Sequence, residues 1–206
     1  MRQGVAMLVT MTAVVGLIAF AAGSTPMTAQ AGGAAPQAAP AKPAAAKPVG
    51  AGAAARGEYL VAAMACNDCH TPWVMGANGP EPDMTRMLSG HPANMSLPPP
   101  PEPNGPWIGS FTASMTTWAG PWGISHTRNL TPDKETGLGS WTEQQFVETI
   151  RNGRTQGRGR QLLPPMPWQM YRNLSDADLK AIFAYLKTIP AISNKVPDPV
   201  IAPPPM

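Results

Sequence analysis

The sequence predicts a mostly α protein of short helices interrupted by one long irregular insertion. Three observations carry that expectation. Two segments in the C-terminal half, "GSWTEQQFVETIRNG" and "NLSDADLKAIFAYLKTIP", place apolar residues at helical spacing between a capping residue and a stop. A third, "ARGEYLVAAMAC", keeps the same period and runs straight into a pair of cysteines. No strand pattern and no internal repeat stands out along the chain.

In chain order, Arg2 and the uncharged run Val5 to Ala22 come first. That run is longer than a usual signal-peptide core of roughly 7–15 residues and shorter than the about 20 residues of a membrane span. Ala29-Gln30-Ala31 offers a small-residue cleavage site. A removable signal peptide and an uncleaved anchor both fit residues 1–31, and both place the remainder outside the cytoplasm, in the periplasm. Residues 32–54 are a low-complexity Ala/Pro/Lys stretch that buries too little apolar surface to fold, so a semi-extended linker is expected.

A folded domain is expected over 55–190. Its first helix presents Tyr59, Leu60, Ala63 and Met64 on one face. Residues 71–128 show no sustained period and contain "SLPPPPEPNGPW", which reads as a long loop insertion with one short helix at most. The next helix takes Ser140 as N-cap with Glu143 three residues on, lines up Phe146, Val147 and Ile150, and stops at Gly153. In the last helix Ser175 caps with Asp178, Leu179, Ile182, Phe183 and Leu186 form the apolar face, and Pro190 ends it. Residues 191–206 form a Pro-rich irregular tail.

Charge narrows the functional classes. The chain carries 15 basic and 12 acidic residues, a surplus too small for a phosphate-binding face, so nucleic acid is not expected as a partner. Three helices of about a dozen residues leave a thin core, and thin cores usually need a staple, a metal or a cofactor.

The stretch "AMACNDCHTP" speaks to that deficit. Cys66 and Cys69 are the chain's two cysteines, and His70 follows the second. A disulfide across two intervening residues closes a tiny loop and stabilises little. A thioredoxin-like redox pair wants a βαβ context, which is missing. Zinc wants four ligands, and the adjacency of Cys69 and His70 keeps both from readily reaching one ion. The remaining reading is Cys-x-x-Cys-His as a c-type haem attachment site. One helical turn spaces the thiols to meet the two vinyl groups of a porphyrin edge, and the next residue offers its imidazole to the iron.

Further along stand "NLTPDKETGLGSWTEQQF" and "LLPPMPWQMYRNLSDADLKAIFAYLKTIP". Together with CNDCH, these segments resemble the class I cytochrome c family. They are most like the haem domains of the cytochrome subunits that serve periplasmic alcohol and aldehyde dehydrogenases. The resemblance covers Arg56 to His70 and Asn129 to Pro190. It implies a cytochrome c-like fold of three to five short helices around one covalently attached haem c, with the first and last helices crossing. It further implies His70 as proximal and Met166 as distal iron ligand. The family's dehydrogenase subunits carry three haem domains, whereas this chain has one CxxCH and a longer, Pro- and Trp-rich insertion.

The expected function is that of a monohaem electron carrier outside the cytoplasm, not an enzyme. It would pass electrons from a dehydrogenase-type donor to a respiratory acceptor such as an oxidase or another cytochrome, with anchoring possible through Val5 to Ala22. A haem peroxidase or small-gas sensor with an open distal site is the alternative. His126 is expected at the surface or the haem edge, and His91 in a solvated loop. Arg151, Arg154, Arg158 and Arg160 read first as a solvated loop, second as partners for haem propionates or an acidic protein. Trp107, Trp118 and Trp122 are expected to pack the insertion against the haem crevice. The Met residues are too scattered for a copper site.

Overall fold

The computed structural model describes residues 52–203. The expected signal or anchor segment, the linker up to residue 51 and the tail residues 204–206 lie outside the described residues. Among the described residues, no helix is long and apolar enough to cross a membrane.

The first helix, α1 (Gly52–Ala63), starts three residues inside the stretch expected as linker. It buries Gly57, Leu60 and Val61, with Met64 half-buried one turn on. This face is rotated from the expected one: Tyr59 and Ala63 point to solvent. Gly57 is the cause. A Cβ there would overlap the Ala181 carbonyl and Tyr185 Cβ of the last helix, so only glycine permits this approach, and a count of apolar residues misses it.

Ala65 adopts a left-handed conformation (φ 56°) that ends α1 and starts α2 (Cys66–His70) on a new axis. After the insertion come α3 (Glu143–Asn152), the one-turn α4 (Trp168–Tyr171) and α5 (Asp176–Leu186). Helices α1 and α5 pack on each other, and α3 packs on α5 through Phe146 and Phe183, whose rings lie 5.3 Å apart. The buried cluster joins Leu60, Val61, Phe146, Ile150, Leu179, Ile182, Phe183 and Leu186. Each such side chain contributes about 1.5–3 kcal/mol by leaving water.

Two caps differ in outcome. Ser175 caps α5 as expected, its Oγ accepting from the Asp178 N–H at 3.1 Å. The N-cap of α3 is Thr142, not Ser140: Thr142 Oγ1 accepts from the Gln145 N–H at 3.1 Å, and the Gln145 side chain accepts from the Thr142 N–H at 2.9 Å. Both S-x-x-E and T-x-x-Q satisfy the capping-box spacing. The Trp141 N–H bonds the Leu138 carbonyl while its ring packs on the core, which holds the chain in a turn past Ser140. Gly153 ends α3 in the left-handed region as expected.

The insertion is the main departure from a mostly α fold, because it carries five short strands within otherwise irregular chain. Strands β1 (Trp73–Gly76) and β2 (Gly79–Pro82) make one hairpin. Strands β3 (Ser110–Phe111), β4 (Thr117–Gly120) and β5 (Gly123–His126) make an antiparallel sheet in that order. The tail adds β6 (Val200–Ile201) against β5, so it is not wholly irregular. Among the described residues no strand exceeds four residues, which is too short for a period to show. Leu88, from the insertion, is fully buried within the helical core, and its carbonyl accepts from the Leu130 N–H at 2.8 Å.

Candidate haem-binding site

Helix α2 sets the site. Cys66 and Cys69 stand three residues apart on a single turn, both half-buried, both free thiols. Burial, followed by the neighbouring Cys69, pushes the Cys66 thiol up to about 11, and burial also raises Cys69. Neither is therefore a ready thiolate at neutral pH, as a redox nucleophile must be. Among the described residues, no three His, Cys, Asp or Glu side chains gather into a metal cluster.

His70 ends α2, buried. Its Nδ1 donates to the Arg128 carbonyl at 2.7 Å, which fixes the tautomer and leaves the Nε2 lone pair for a ligand's metal. Burial lowers its pKa, against that hydrogen bond, so the imidazole is neutral. The segment behind it is tied down by further bonds. Thr71 Oγ1 accepts from the Leu88 N–H at 2.9 Å, and the His70 carbonyl accepts from the Gly90 N–H at 2.7 Å. Gly90 (φ 77°) must be glycine, since a Cβ would strike the Thr127 carbonyl. Tyr171, on α4, donates to the Met64 carbonyl at 2.7 Å, and its hydroxyl is pushed up to about 12 by burial and then by the two thiols. That interaction locates α4 beside α2.

Met166 is half-buried and packs against the same apolar cluster as Cys66. Three anchors hold its segment. The Leu162 N–H bonds the Gly153 carbonyl at 2.8 Å, Trp168 lies where a Cβ on Gly153 would be, and Ser125 Oγ of β5 donates to the Pro164 carbonyl at 2.6 Å. Prolines 164, 165 and 167 restrict the backbone on either side.

Several other expectations change. His91 is not solvated: it is 1% exposed, its ring lies 4.8 Å from that of His126, and Thr117 Oγ1 reaches both Nδ1 atoms, at 3.0 and 2.8 Å. His126 is half-buried in that pair and lines a cavity of about 620 Å³ under the Pro98–Pro101 segment, whose walls include no cysteine. Trp107 is 76% exposed and packs nothing against the core, whereas Trp118 stacks on Phe111 at 4.7 Å and Trp122 is half-buried. Arg151 pairs with Asp176 at 2.5 Å, while Arg154, Arg158 and Arg160 are exposed without an ion pair among the described residues. Sequence reading missed the Arg128 carbonyl, since a backbone acceptor leaves no mark on residue identity. It also missed Ser125, a serine in a strand too short to recognise.

Residue chemistry fits a covalently held porphyrin. Two protonated thiols on one turn can add to vinyl groups, a neutral imidazole presents Nε2, and the buried Trp122 Nε1 has no acceptor among the described residues. The family model for cytochrome c matches residues 54–190. A nicotinate dehydrogenase subunit of Pseudomonas putida is 38% identical over 77 residues, 37% of this chain and 6% of that protein. The fructose dehydrogenase cytochrome subunit of Gluconobacter japonicus is 31% identical over 133 residues, 65% of this chain and 20% of its own length. The gluconate 2-dehydrogenase cytochrome c subunit of Pantoea cypripedii is 32% identical over 130 residues, covering 63% and 22%. The chain thus spans about a fifth of the length of the two cytochrome subunits and less of the nicotinate dehydrogenase protein. On the extent of the family match, the chain belongs to the cytochrome c family and carries covalently attached haem c.

Proposed function

We propose that the chain is a monohaem c-type electron carrier working outside the cytoplasm, with His70 and Met166 as axial ligands. The observation that carries this reading is His70, held by the Arg128 carbonyl with Nε2 free, directly beside two free thiols one helical turn apart. Bound haem supplies a one-electron couple at its iron. The residues supply the rest. Each cysteine S–H would add across one vinyl double bond, sulfur to one carbon and hydrogen to the other, so no oxidant would be consumed. His70 Nε2 would hold the iron, with the Arg128 carbonyl keeping the ring from turning. Met166 Sδ, on a proline-stiffened segment packed on the apolar cluster, would be the second ligand, with that cluster excluding water. Thioether sulfur favours the ferrous state, so this pair gives a higher potential than two imidazoles.

A dehydrogenase donor is supported by the names of the three relatives described above, all of them dehydrogenase subunits. A respiratory acceptor and export through residues 1–31 complete the proposal. The decisive experiment is Met166→Ala in haem-loaded protein. The variant should lose the sixth ligand, drop in potential and bind carbon monoxide rapidly, while wild type stays six-coordinate. A wild type that already binds carbon monoxide readily would turn the reading to a peroxidase or gas sensor. A variant that keeps potential and coordination would remove Met166 from the iron.

A further inference from the structure

The cavity of about 620 Å³ beneath Pro98–Pro101 stands apart from the haem ligands, since none of Cys66, Cys69, His70 and Met166 lines it. Its volume falls within the roughly 300–1,000 Å³ of small-molecule sites. Four successive prolines form one wall. They have no backbone N–H and a fixed φ, so that wall is stiff, apolar and without a donor. Opposite partners Thr117 and His126, and Ala119 and Ile124, share one face of strands β4 and β5 and line the cavity too. The other face carries Trp118 and Ser125, and Ser125 bonds the Pro164 carbonyl. The sheet therefore separates the cavity from the Met166 segment.

The polar groups of this cavity converge on one atom. Thr117 Oγ1 lies 3.0 Å from His91 Nδ1 and 2.8 Å from His126 Nδ1. A hydroxyl carries one proton, so it donates to one ring and accepts from the other. His91 Nδ1 also meets Thr116 Oγ1 at 3.0 Å, and its other nitrogen faces the Met95 carbonyl, which requires an N–H there. His91 Nδ1 is thus the acceptor from Thr117, and His126 Nδ1–H donates to it. That leaves His126 Nε2 as a bare lone pair, with no hydrogen-bond partner among the described residues.

The charge around this lone pair is one-sided. No Asp or Glu among the described residues lines the cavity. Burial and then Arg128 lower the pKa of His126, and burial and then His126 lower that of His91 to about 4. Both rings are therefore neutral at pH 7 in the empty site. Arg160 lies close enough to Arg128 to feel its charge, so the flanking field is positive. Asp198, next to Pro197 of the lining, is 96% exposed and turns to Arg128 at 3.7 Å. Such a field disfavours a cation. A dianion would find no Lys or Arg in the lining, whereas a monoanion with an apolar body suits both the imidazole and the walls.

We propose that this cavity binds a small apolar monocarboxylic acid, its carboxylate held by protonated His126 and its hydrocarbon body laid against Pro98–Pro101 and Phe111. Such acids are ionised at neutral pH, so the proton comes from solvent to His126 Nε2, and no other bond forms or breaks. The carboxylate favours the imidazolium and raises the His126 pKa in the complex. Above pH 6.5 the empty site is neutral, so binding takes up about one proton and weakens about tenfold per pH unit. The site does not depend on which residues hold the iron.

The test titrates full-length, haem-loaded protein with benzoate by calorimetry, in two buffers of different ionisation heat, from about pH 6.5 to 8. Benzamide is the uncharged control. Benzoate should saturate a single site, take up about one proton, weaken about tenfold per pH unit and bind more tightly than benzamide. His126→Gln should lose the pH dependence and the preference for benzoate. Ala119→Leu, which places a larger side chain in the cavity, should abolish binding of both compounds, whereas benzoate held by the iron would be unaffected. The proposal is overturned if wild type shows no saturable binding, does not distinguish benzoate from benzamide, or is matched by Ala119→Leu. Should His126→Gln fail to fold, proton uptake and the benzamide comparison in wild type decide.

Discussion

His91 shows how a residue's surroundings override its local sequence. "LSGHPAN" reads as a loop histidine, yet the ring is enclosed by Thr116, Thr117 and His126. Burial, then His126, lowers its pKa to about 4, against the Met95 carbonyl. The unfolded chain therefore takes up a proton near pH 6.5 while the native protein does not until about pH 4. The neutral ring's contribution to stability is present above pH 6.5 and is lost as pH falls toward 4, about 3 kcal/mol across that window. His126, also lowered, adds to the slope, and Asp133, held below its ordinary value by Thr136, acts only at more acid pH. Denaturation midpoints of haem-loaded protein should drop between pH 7 and 4.5, and His91→Gln should flatten the curve. Parallel curves would show that His91 is protonated without cost. At this scale CNDCH was legible because its chemistry is local. His91 was not, because its partners Thr116 and Thr117 come from more than twenty positions away.

At the scale of elements, helices were readable and strands were not. Helix α5 announces itself by a cap and an apolar stripe, both realised at Ser175, Leu179, Ile182, Phe183 and Leu186, and it ends at Leu186, ahead of the Pro190 expected to stop it. For α3 the stripe and Gly153 were right and the cap was displaced, since two overlapping boxes compete and tertiary packing of Trp141 selects the second. Thr142→Ala should accordingly destabilise the protein by about 1 kcal/mol, and Ser140→Ala should leave it unchanged. Chemical denaturation of the two variants checks this, and the reverse ranking would restore Ser140 as the cap. Strands β3 to β6 hold two to four residues each and include Gly120 and Gly123 at a turn. Their pairing is decided across the chain and not within it.

Taken whole, the insertion is built into the helical domain. Its Leu88 sits in the core, the Arg128 carbonyl at its end holds His70, and Ser125 holds the segment before Met166. The tail closes the same assembly: buried Asn194 donates to the Ser89 and His91 carbonyls at 2.7 and 2.8 Å and accepts from the Ala93 N–H at 2.9 Å. A cover laid over a finished domain would unfold separately; a part carrying these bonds should not. Of the tryptophans, Trp73, Trp107, Trp118 and Trp122 lie in the insertion, so fluorescence reports chiefly on it, while Soret absorbance reports on the haem. The two signals should lose their native values in one coincident transition. Ser125→Ala tests the coupling directly. Removing its hydroxyl should cost about 1 kcal/mol, and the Met166 segment should open more often, so that, with Met166 as the proposed iron ligand, added imidazole should replace it several-fold faster than in wild type. If fluorescence changes well before the Soret band and Ser125→Ala leaves imidazole binding unchanged, the insertion is an independent lobe, and the Met166 segment is held from the helical side alone.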